Sequence, residues 1–179
     1  LYPHLADVVR YIAERGLKPF VITNGVSLDR PTARELVRAG VKSFSIHVDA
    51  TQDRPGWEGR NETDLNELRQ SFADLIWEFR DVTCSFVATV TRGNLPEIGR
   101  VAEWALRNIP KVGHLSFVAL RGVALEEGVD FYGGGRKLAP EEIPNRYDRA
   151  AEISITSEEM LDAIRAGVPG VTPCAYIGG

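Results

Sequence analysis

The chain is poor in sulfur-containing residues and in long apolar runs. Its 179 residues hold one methionine and two cysteines, Cys84 and Cys174, which stand far apart in a sequence without a secretory signal. We therefore expect no disulfide framework and a cytoplasmic location. No apolar stretch approaches the roughly 18 residues that a membrane-spanning helix needs, so we expect no transmembrane segment.

Excess positive charge and the common phosphate-binding signatures are also missing. The formal net charge is −4 at pH 7, which is unlike a nucleic-acid-binding domain, and we expect no nucleic-acid partner. The sequence contains neither a GxGxxG turn nor a P-loop. The few lysines precede predicted strands or lie in a loop, which disfavours Schiff-base catalysis at a strand end; they are Lys18, Lys42, Lys111 and Lys137.

The chain does contain a regular alternation of helical and strand patterns. Apolar residues spaced for one helix face alternate with short β-rich runs at 19–22, 41–49, 82–91 and 114–120. This alternation predicts an α/β fold with a parallel sheet. Half of a (β/α) barrel and an open doubly wound sheet both fit four such units, and the pattern does not separate them.

Local signals predict the ends of the core helices. Pro31 near the first turn and Gly40 after the last turn bound the second helix. The third helix is predicted from Glu62 to Arg80, where apolar residues mark one face. Asn94 and Glu97 have the spacing of a capping box, which predicts that they open the fourth helix.

We expect one core and one extension. Residues 1–122 hold the βα units, and residues 123–179 form an irregular extension with one helix. In that extension, residues 153–155 predict a short strand. Thr156 and Glu159 have the spacing of a capping box and predict the start of the helix.

Polar side chains follow every predicted strand. Right-handed crossovers gather such side chains at one edge of a parallel sheet, where parallel α/β folds place their ligands. Arg92 offers a guanidinium that pairs with carboxylates through two hydrogen bonds, and Asp49 can accept hydrogen bonds from ribose-type hydroxyls. The predicted edge comprises Thr23, Asn24, Gly25, His47, Asp49, Thr91, Arg92, Asn94, Ser116 and Arg121.

A polar loop at residues 50–60 follows the second predicted strand. Gln52, Arg54 and Trp57 are its candidates to face a substrate at the mouth of the fold. A packed tryptophan and a solvated arginine explain the same residues without any substrate. Both interpretations stay open at this point.

Three short segments at consecutive strand ends resemble the radical S-adenosylmethionine (radical SAM) enzymes. They are TNG at residues 23–25, SIHVD at 45–49 and TRGN at 91–94, and the resemblance covers about residues 1–122. It implies a partial (β/α) barrel, truncated at its N-terminus, that holds a [4Fe–4S] cluster and S-adenosylmethionine. In that family, reductive cleavage of the cofactor gives a 5′-deoxyadenosyl radical that abstracts a hydrogen atom from the substrate.

The resemblance also implies roles for single residues. His47 and Asp49 match the strand that contacts the ribose, although the family usually has serine at the position of His47. Arg92 and Asn94 match the strand end near the methionine carboxylate, and residues 116–118 match the strand beside the adenine. The implied cofactor-binding set is Thr23, Asn24, His47, Asp49, Arg92, Asn94, Ser116 and Val118.

The CxxxCxxC loop that binds the cluster in this family is missing from the chain, so its ligands are expected upstream of Leu1. Cys174 is either a free structural thiol or a ligand of an auxiliary cluster whose other cysteines lie beyond Gly179. The expected partners are an electron donor, such as flavodoxin or ferredoxin, and a small-molecule substrate. A lipid substrate is included because residues 50–60 and the run NETDLNELR resemble members that couple lipid hydrocarbon chains.

Two other interpretations compete with this one. The first is a different (β/α) barrel enzyme, such as an aldolase or an isomerase. The second is a flavodoxin-like α/β module that binds or regulates without catalysis.

Overall fold

The computed structural model describes residues 2–120, 123–124, 129–143, 146–147 and 154–172. Within these ranges, one parallel sheet contains β1 (Phe20–Thr23), β2 (Ser43–His47), β3 (Thr83–Val90) and β4 (Val112–Ala119). The α-helices are α1 (Leu5–Ala13), α2 (Arg30–Ala39), α3 (Asn66–Trp77), α4 (Ile98–Arg107) and α5 (Ser157–Gly167). The predicted α/β class with a parallel sheet is confirmed.

Each strand of the sheet pairs with the next one along the chain, in the order β1-β2-β3-β4. A doubly wound sheet instead reverses its strand order at a switch point. No such reversal occurs in the described sheet, and consecutive units of a (β/α) barrel have this order. The strand order therefore favours the barrel-like arrangement, one of the two that the sequence left open.

One face of the sheet packs against the helices. Phe44, Ile46 and Phe86 on this face are completely buried, in a core shared with buried residues of α1, α2 and α3. Trp104 of α4 packs edge-on against Phe86, with the ring centroids 5.5 Å apart. These four helices therefore all lie on the same side of the sheet.

No described helix covers the opposite side of the sheet, which is called the open face below. On this side Ile22 is 71% exposed and Val118 is 50% exposed. In a (β/α) barrel the helices form the outer ring, so the side without helices corresponds to the inner one. The open face carries Phe20, Ile22, Ser43, Ser45, His47, Thr83, Ser85, Val87, Thr89, His114, Ser116 and Val118.

Local chemistry explains where the helices begin and end. Asp29 caps α2 by accepting a 2.9 Å hydrogen bond from the backbone N–H of Thr32, and Pro31 occupies the first turn. Gly40 closes α2 with φ of 117°, a conformation in which a side chain would be strained. The predicted capping box of α5 is confirmed, because Thr156 and Glu159 exchange hydrogen bonds between side chain and backbone.

Three local predictions are wrong. Helix α3 is shorter than the predicted Glu62–Arg80, because residues before Asn66 turn to form the loop that follows β2. Asn94 does not cap α4, because its side chain is used for contacts described below, and a 3₁₀ turn (Leu95–Glu97) precedes the helix. Residues 154–155 are not in a strand but lead directly into α5, and residue 153 lies outside the described ranges.

Helix α5 packs against α4 through two glycines. A Cβ atom on Gly99 or on Gly167 would overlap the backbone of the other helix, so the close approach depends on both glycines. Two-residue strands pair elsewhere in the extension: β5 (Val123–Ala124) with β8 (Arg146–Tyr147), and β6 (Tyr132–Gly133) with β7 (Arg136–Lys137). None of the described helices is long and apolar enough to cross a membrane.

Candidate functional site

The strand register brings most of the predicted residues to one edge. His47 at the end of β2 lies beside Val87 of β3, which lies beside Ser116 of β4. One row earlier, Ser45, Ser85 and His114 are aligned in the same way. Both rows are on the open face. His47 ends β2, at the carboxyl edge where ligands of parallel α/β proteins bind, whereas β3 and β4 continue beyond these rows to Val90 and Ala119.

His47 and Asp49 form a pair at this edge. The Nε2 atom of His47 lies 2.5 Å from Oδ2 of Asp49 and 3.0 Å from Oγ1 of Thr89. Because a carboxylate only accepts hydrogen bonds, this contact favours a proton on Nε2. Asp49 thus holds the imidazole ring in place, with Nδ1 on the side of the ring away from the carboxylate.

The Nδ1 atom of His47 faces no protein partner. Among the described residues it makes no hydrogen bond, and neither do the hydroxyl groups of Ser45 and Ser85. None of these three atoms is sealed from solvent, although Ser45 and Ser85 are buried as whole residues. The edge therefore offers one ring nitrogen and two hydroxyls to a polar ligand.

Asp49 is held by the protein through three hydrogen bonds. Its Oδ1 accepts from the backbone N–H (2.9 Å) and the hydroxyl (2.6 Å) of Thr51, and its Oδ2 accepts from the backbone N–H of Thr89 (2.8 Å) and lies against His47. Burial raises the pKa of Asp49, but these hydrogen bonds and the neighbouring imidazole outweigh it, so the pKa is below its ordinary value. Asp49 is thus a carboxylate that is already bound within the chain and positions His47.

A buried ion pair lies directly behind this edge. Glu62 and Arg69 have completely buried side chains and form a salt bridge. Arg69 also donates to the carbonyl oxygen of Val48 at 2.8 Å, while Glu62 accepts from the backbone N–H of Ala50 at 2.9 Å. Since Val48 and Ala50 flank Asp49, the ion pair fixes the backbone on both sides of that residue.

Asn94 connects the same network to the next strand. Its side-chain nitrogen donates to Glu62 at 2.8 Å and to the carbonyl oxygen of Thr89 at 2.9 Å, and its oxygen accepts from the backbone N–H of Thr91 at 2.7 Å. Asn94 is buried and fully bonded within the protein. In this structure it is a structural residue that joins the ends of β2 and β3.

Sequence reasoning missed Glu62 and Arg69 as part of the site. A signal was present, because Arg69 is four residues after Leu65 and three before Phe72, within the apolar face of the third helix. A charged residue at such a position is buried, and a buried charge needs a partner. Glu62, seven residues earlier, meets that requirement.

In the loop at residues 50–60, the tryptophan is packed, as the interpretation without a substrate expected, but the arginine is not solvated, although that interpretation expected it to be. Trp57 is partly buried and packs against the core, as a structural tryptophan does. Arg54 is not solvated: it is 7% exposed and donates to the carbonyl oxygen of His47 at 2.8 Å and to Gln52 at 2.7 Å. The guanidinium is needed there because it binds the carbonyl oxygen at the end of β2. Among the three, Gln52 and Trp57 retain partial exposure beside the edge.

Arg92 already has a carboxylate partner. It forms an ion pair with Glu159 of α5 at 2.5 Å and also donates to the carbonyl oxygen of Ser154. The hydrogen bond from Arg92 contributes most to lowering the pKa of Glu159 to about 2. In this structure Arg92 therefore fastens the extension to the end of β3, and binding a ligand carboxylate requires it to leave Glu159.

The remaining predicted residues lie at the same edge or outside the described ranges. The hydroxyl of Thr23 accepts from the N–H of Gly25, and the side-chain oxygen of Asn24 accepts from the N–H of Val26, so both shape the turn after β1. Ser116 lies 2.6 Å from His114, and Val118 is exposed on the open face. The predictions for Arg121 and Cys174 fall outside the residues that the structure describes.

The described part of the chain does not assemble a metal site. It contains no group of three or more histidine, cysteine, aspartate or glutamate side chains placed to hold an ion. Cys84 is buried on the helix-facing side of β3, and burial raises the pKa of its thiol to about 12. A protonated thiol in the core is neither a nucleophile nor a ligand.

Comparison with protein-family models and with curated proteins gave no match for this chain.

Proposed function

We propose that the chain is part of a radical SAM enzyme and that its open face binds S-adenosylmethionine at the carboxyl edge of the sheet. The observation that carries the proposal is the placement of the TNG, SIHVD and TRGN segments. They lie at the ends of β1, β2 and β3, at one edge of consecutive βα units, with helices α1 to α4 on one side of the sheet. The partial (β/α) barrel of that family has the same arrangement.

The free polar atoms fit a nucleoside ligand. Ribose hydroxyls and an amino group can bond to Nδ1 of His47 and to the hydroxyls of Ser45 and Ser85, which lack protein partners among the described residues. Asp49 fits the ligand less directly, because its oxygens already accept three hydrogen bonds from Thr51 and Thr89 and lie against His47. We therefore assign the hydrogen bond to the ribose to His47 instead of Asp49. At this position the radical SAM family usually has a serine.

The described residues contain no group of side chains placed to hold the iron–sulfur cluster, and the proposal takes its ligands from the CxxxCxxC loop expected upstream of Leu1. When bound, the cluster and S-adenosylmethionine together supply abstraction of a hydrogen atom from the substrate. The residues of this chain bind and orient the ligand. Asp49 favours a proton on Nε2 of His47, so that Nδ1 can accept a hydrogen bond from the ligand, and Gln52 and Trp57 border the space for a substrate.

The proposed partners follow from this chemistry: an electron donor such as flavodoxin or ferredoxin, and a small-molecule or lipid substrate. A cytoplasmic location is part of the same proposal, because both the cluster and its reductant belong to a reducing compartment. Without a bound cluster, the described residues are expected to be inactive.

A second candidate is a (β/α) barrel enzyme that transfers protons. The His47–Asp49 pair favours it, since a carboxylate that holds an imidazole tautomer also serves general acid–base catalysis. Aldolase chemistry through a lysine is not supported, because Lys18 and Lys42 precede β1 and β2 and lie at the opposite edge. The flavodoxin-like alternative is disfavoured by the strand order and by the one-sided helices.

Iron and acid-labile sulfide analysis, with an EPR spectrum, on the full parent protein purified without oxygen tests the proposal. We expect a reducible [4Fe–4S] signal that changes when S-adenosylmethionine is added. The His47→Ala variant should need more S-adenosylmethionine for the same change, whereas His4→Ala, an exposed histidine beside α1, should behave like the parent. An iron-free protein that still loses activity on its substrate in the His47→Ala variant would favour the acid–base enzyme.

A further inference from the structure

A cleft between α1 and α2 is lined mainly by arginine. It has a volume of about 450 Å³, and its lining residues are Arg10, Arg30, Pro31, Arg34, Glu35 and Arg38. The cleft belongs to the helix layer and is separated from the open face by the sheet. With four arginines and one glutamate, Glu35, the lining carries a local excess of positive charge in a chain of net charge −4.

The spacing of the arginines makes a row. Arg30, Arg34 and Arg38 are four residues apart on α2, so they lie on one face of the helix and span about 12 Å along its axis. Arg10 of α1 lies on the other side of the cleft and lines it as well. The arginines therefore line both sides of a short groove.

Two of these guanidinium groups are not used by the protein. Arg10 pairs with Asp7 at 2.8 Å and Arg30 with Glu78 at 2.5 Å, but Arg34 and Arg38 have no ion-pair or hydrogen-bond partner among the described residues. All four arginines are exposed. Arg34 and Arg38 are therefore available to pair with an external anion.

We infer that this arginine cleft docks a protein partner through a row of carboxylates on the partner's surface. A single small anion would gain little, since exposed ion pairs contribute little binding free energy in water. A protein that covers the cleft excludes water, strengthens each pair and can match the 12 Å row with several carboxylates at once. The fork geometry of arginine suits carboxylates held in fixed positions.

Membranes and nucleic acids fit the cleft less well. Surfaces that bind lipid combine basic residues with apolar side chains that insert into the bilayer, and Pro31 is the only apolar residue lining this cleft. Nucleic acid requires an extended basic field, which a net charge of −4 opposes. An acidic protein is the partner that the observations favour, and this inference does not depend on radical chemistry.

The test uses the full parent protein and fluorescently labelled poly-L-glutamate as the probe, with binding followed by anisotropy. We expect binding that weakens as salt is raised, and a loss of about tenfold in affinity for Arg34→Glu and for Arg38→Glu, because a reversed charge repels the probe. Arg100→Glu is the matched control. Arg100 is also an exposed helical arginine without an ion-pair partner in the described ranges, but it lies on α4 away from the cleft. Circular dichroism confirms that each variant is folded.

Two results would overturn the inference. Equal weakening by Arg100→Glu would show that only the total charge matters. Binding of inorganic polyphosphate or of phosphatidylserine vesicles, with no binding of poly-L-glutamate, would assign the cleft to a different class of partner. Neither result bears on the iron and S-adenosylmethionine measurements, so the two proposals fail independently.

Discussion

Replacing Arg69 by methionine should destabilise the protein more than any change at a surface ion pair. Methionine keeps most of the volume and removes the charge. The substitution deletes the salt bridge to Glu62 and the hydrogen bonds to the carbonyl oxygen of Val48 and to Asn66. It leaves the carboxylate of Glu62 completely buried, with only Ala50 and Asn94 as donors.

The size of the effect follows from that uncompensated charge. Breaking a buried pair by removing one partner costs about 3–5 kcal/mol, because the remaining charge has lost both water and its counter-ion. For a domain of this length each kcal/mol lowers the melting temperature by about 2–4 °C. We therefore expect the melting temperature to fall by roughly 6–20 °C.

The assay is thermal unfolding of the parent protein and its variants, followed by circular dichroism. Arg107→Met is the matched control, because Arg107 pairs with Glu103 on the surface of α4 and is 72% exposed. Its loss should cost less than about 1 kcal/mol. The double variant Glu62→Gln with Arg69→Met should recover part of the stability, since it removes both buried charges. If Arg69→Met and Arg107→Met unfold at the same temperature, the buried network does not hold the strand ends as argued here.

Three further outcomes are expected at other positions. Gly25→Ala should be more destabilising than Gly16→Ala in thermal unfolding, because both glycines have φ of 76° but only at Gly25 would the new Cβ meet an aromatic ring, at 2.7 Å. Cys84 should resist alkylation at pH 8 in the folded protein and react in urea, because burial holds its pKa at about 12; peptide mass spectrometry separates it from the other cysteine. Carboxyl NMR should show the pKa of Glu159 rising from about 2 toward its ordinary value in Arg92→Met; since that pKa is depressed in the folded state, the stabilisation is present above the ordinary value and is lost as pH falls toward 2.

The sequence predicted the repeated units well because those units depend on local signals. Apolar spacing marks the helices and β-rich runs mark the strands, and the caps of α2 and α5 need only residues a few positions apart. The strand order was not predictable in the same way. Crossovers to either side of a sheet use the same alternating pattern, so the choice depends on packing across the whole domain.

The parts of the site that sequence reasoning did not find depend on contacts between distant segments. Asn94 has the spacing of a capping residue, but its side-chain amide donates a hydrogen bond to Glu62, 32 residues earlier. Arg54 has the polarity of a surface residue, but its guanidinium donates a hydrogen bond to the carbonyl oxygen of His47. In both cases a buried acceptor outweighs a local preference, because leaving such a group unpaired costs more than a cap or a hydrated side chain gains.

The same contacts explain why we propose His47 as the residue at which this edge meets a ligand. Asp49, Asn94 and Arg92 match polar positions of the family, yet in this structure each is bound to a partner in the chain. What they leave free is one imidazole nitrogen, Nδ1 of His47, with the hydroxyls of Ser45 and Ser85 one row away. Because phenylalanine keeps a planar ring but has no ring nitrogen, a ligand bound through His47 should bind more weakly to a His47→Phe variant. Titrating S-adenosylmethionine into the parent and the variant measures this difference, and equal affinities would exclude His47 as the contact.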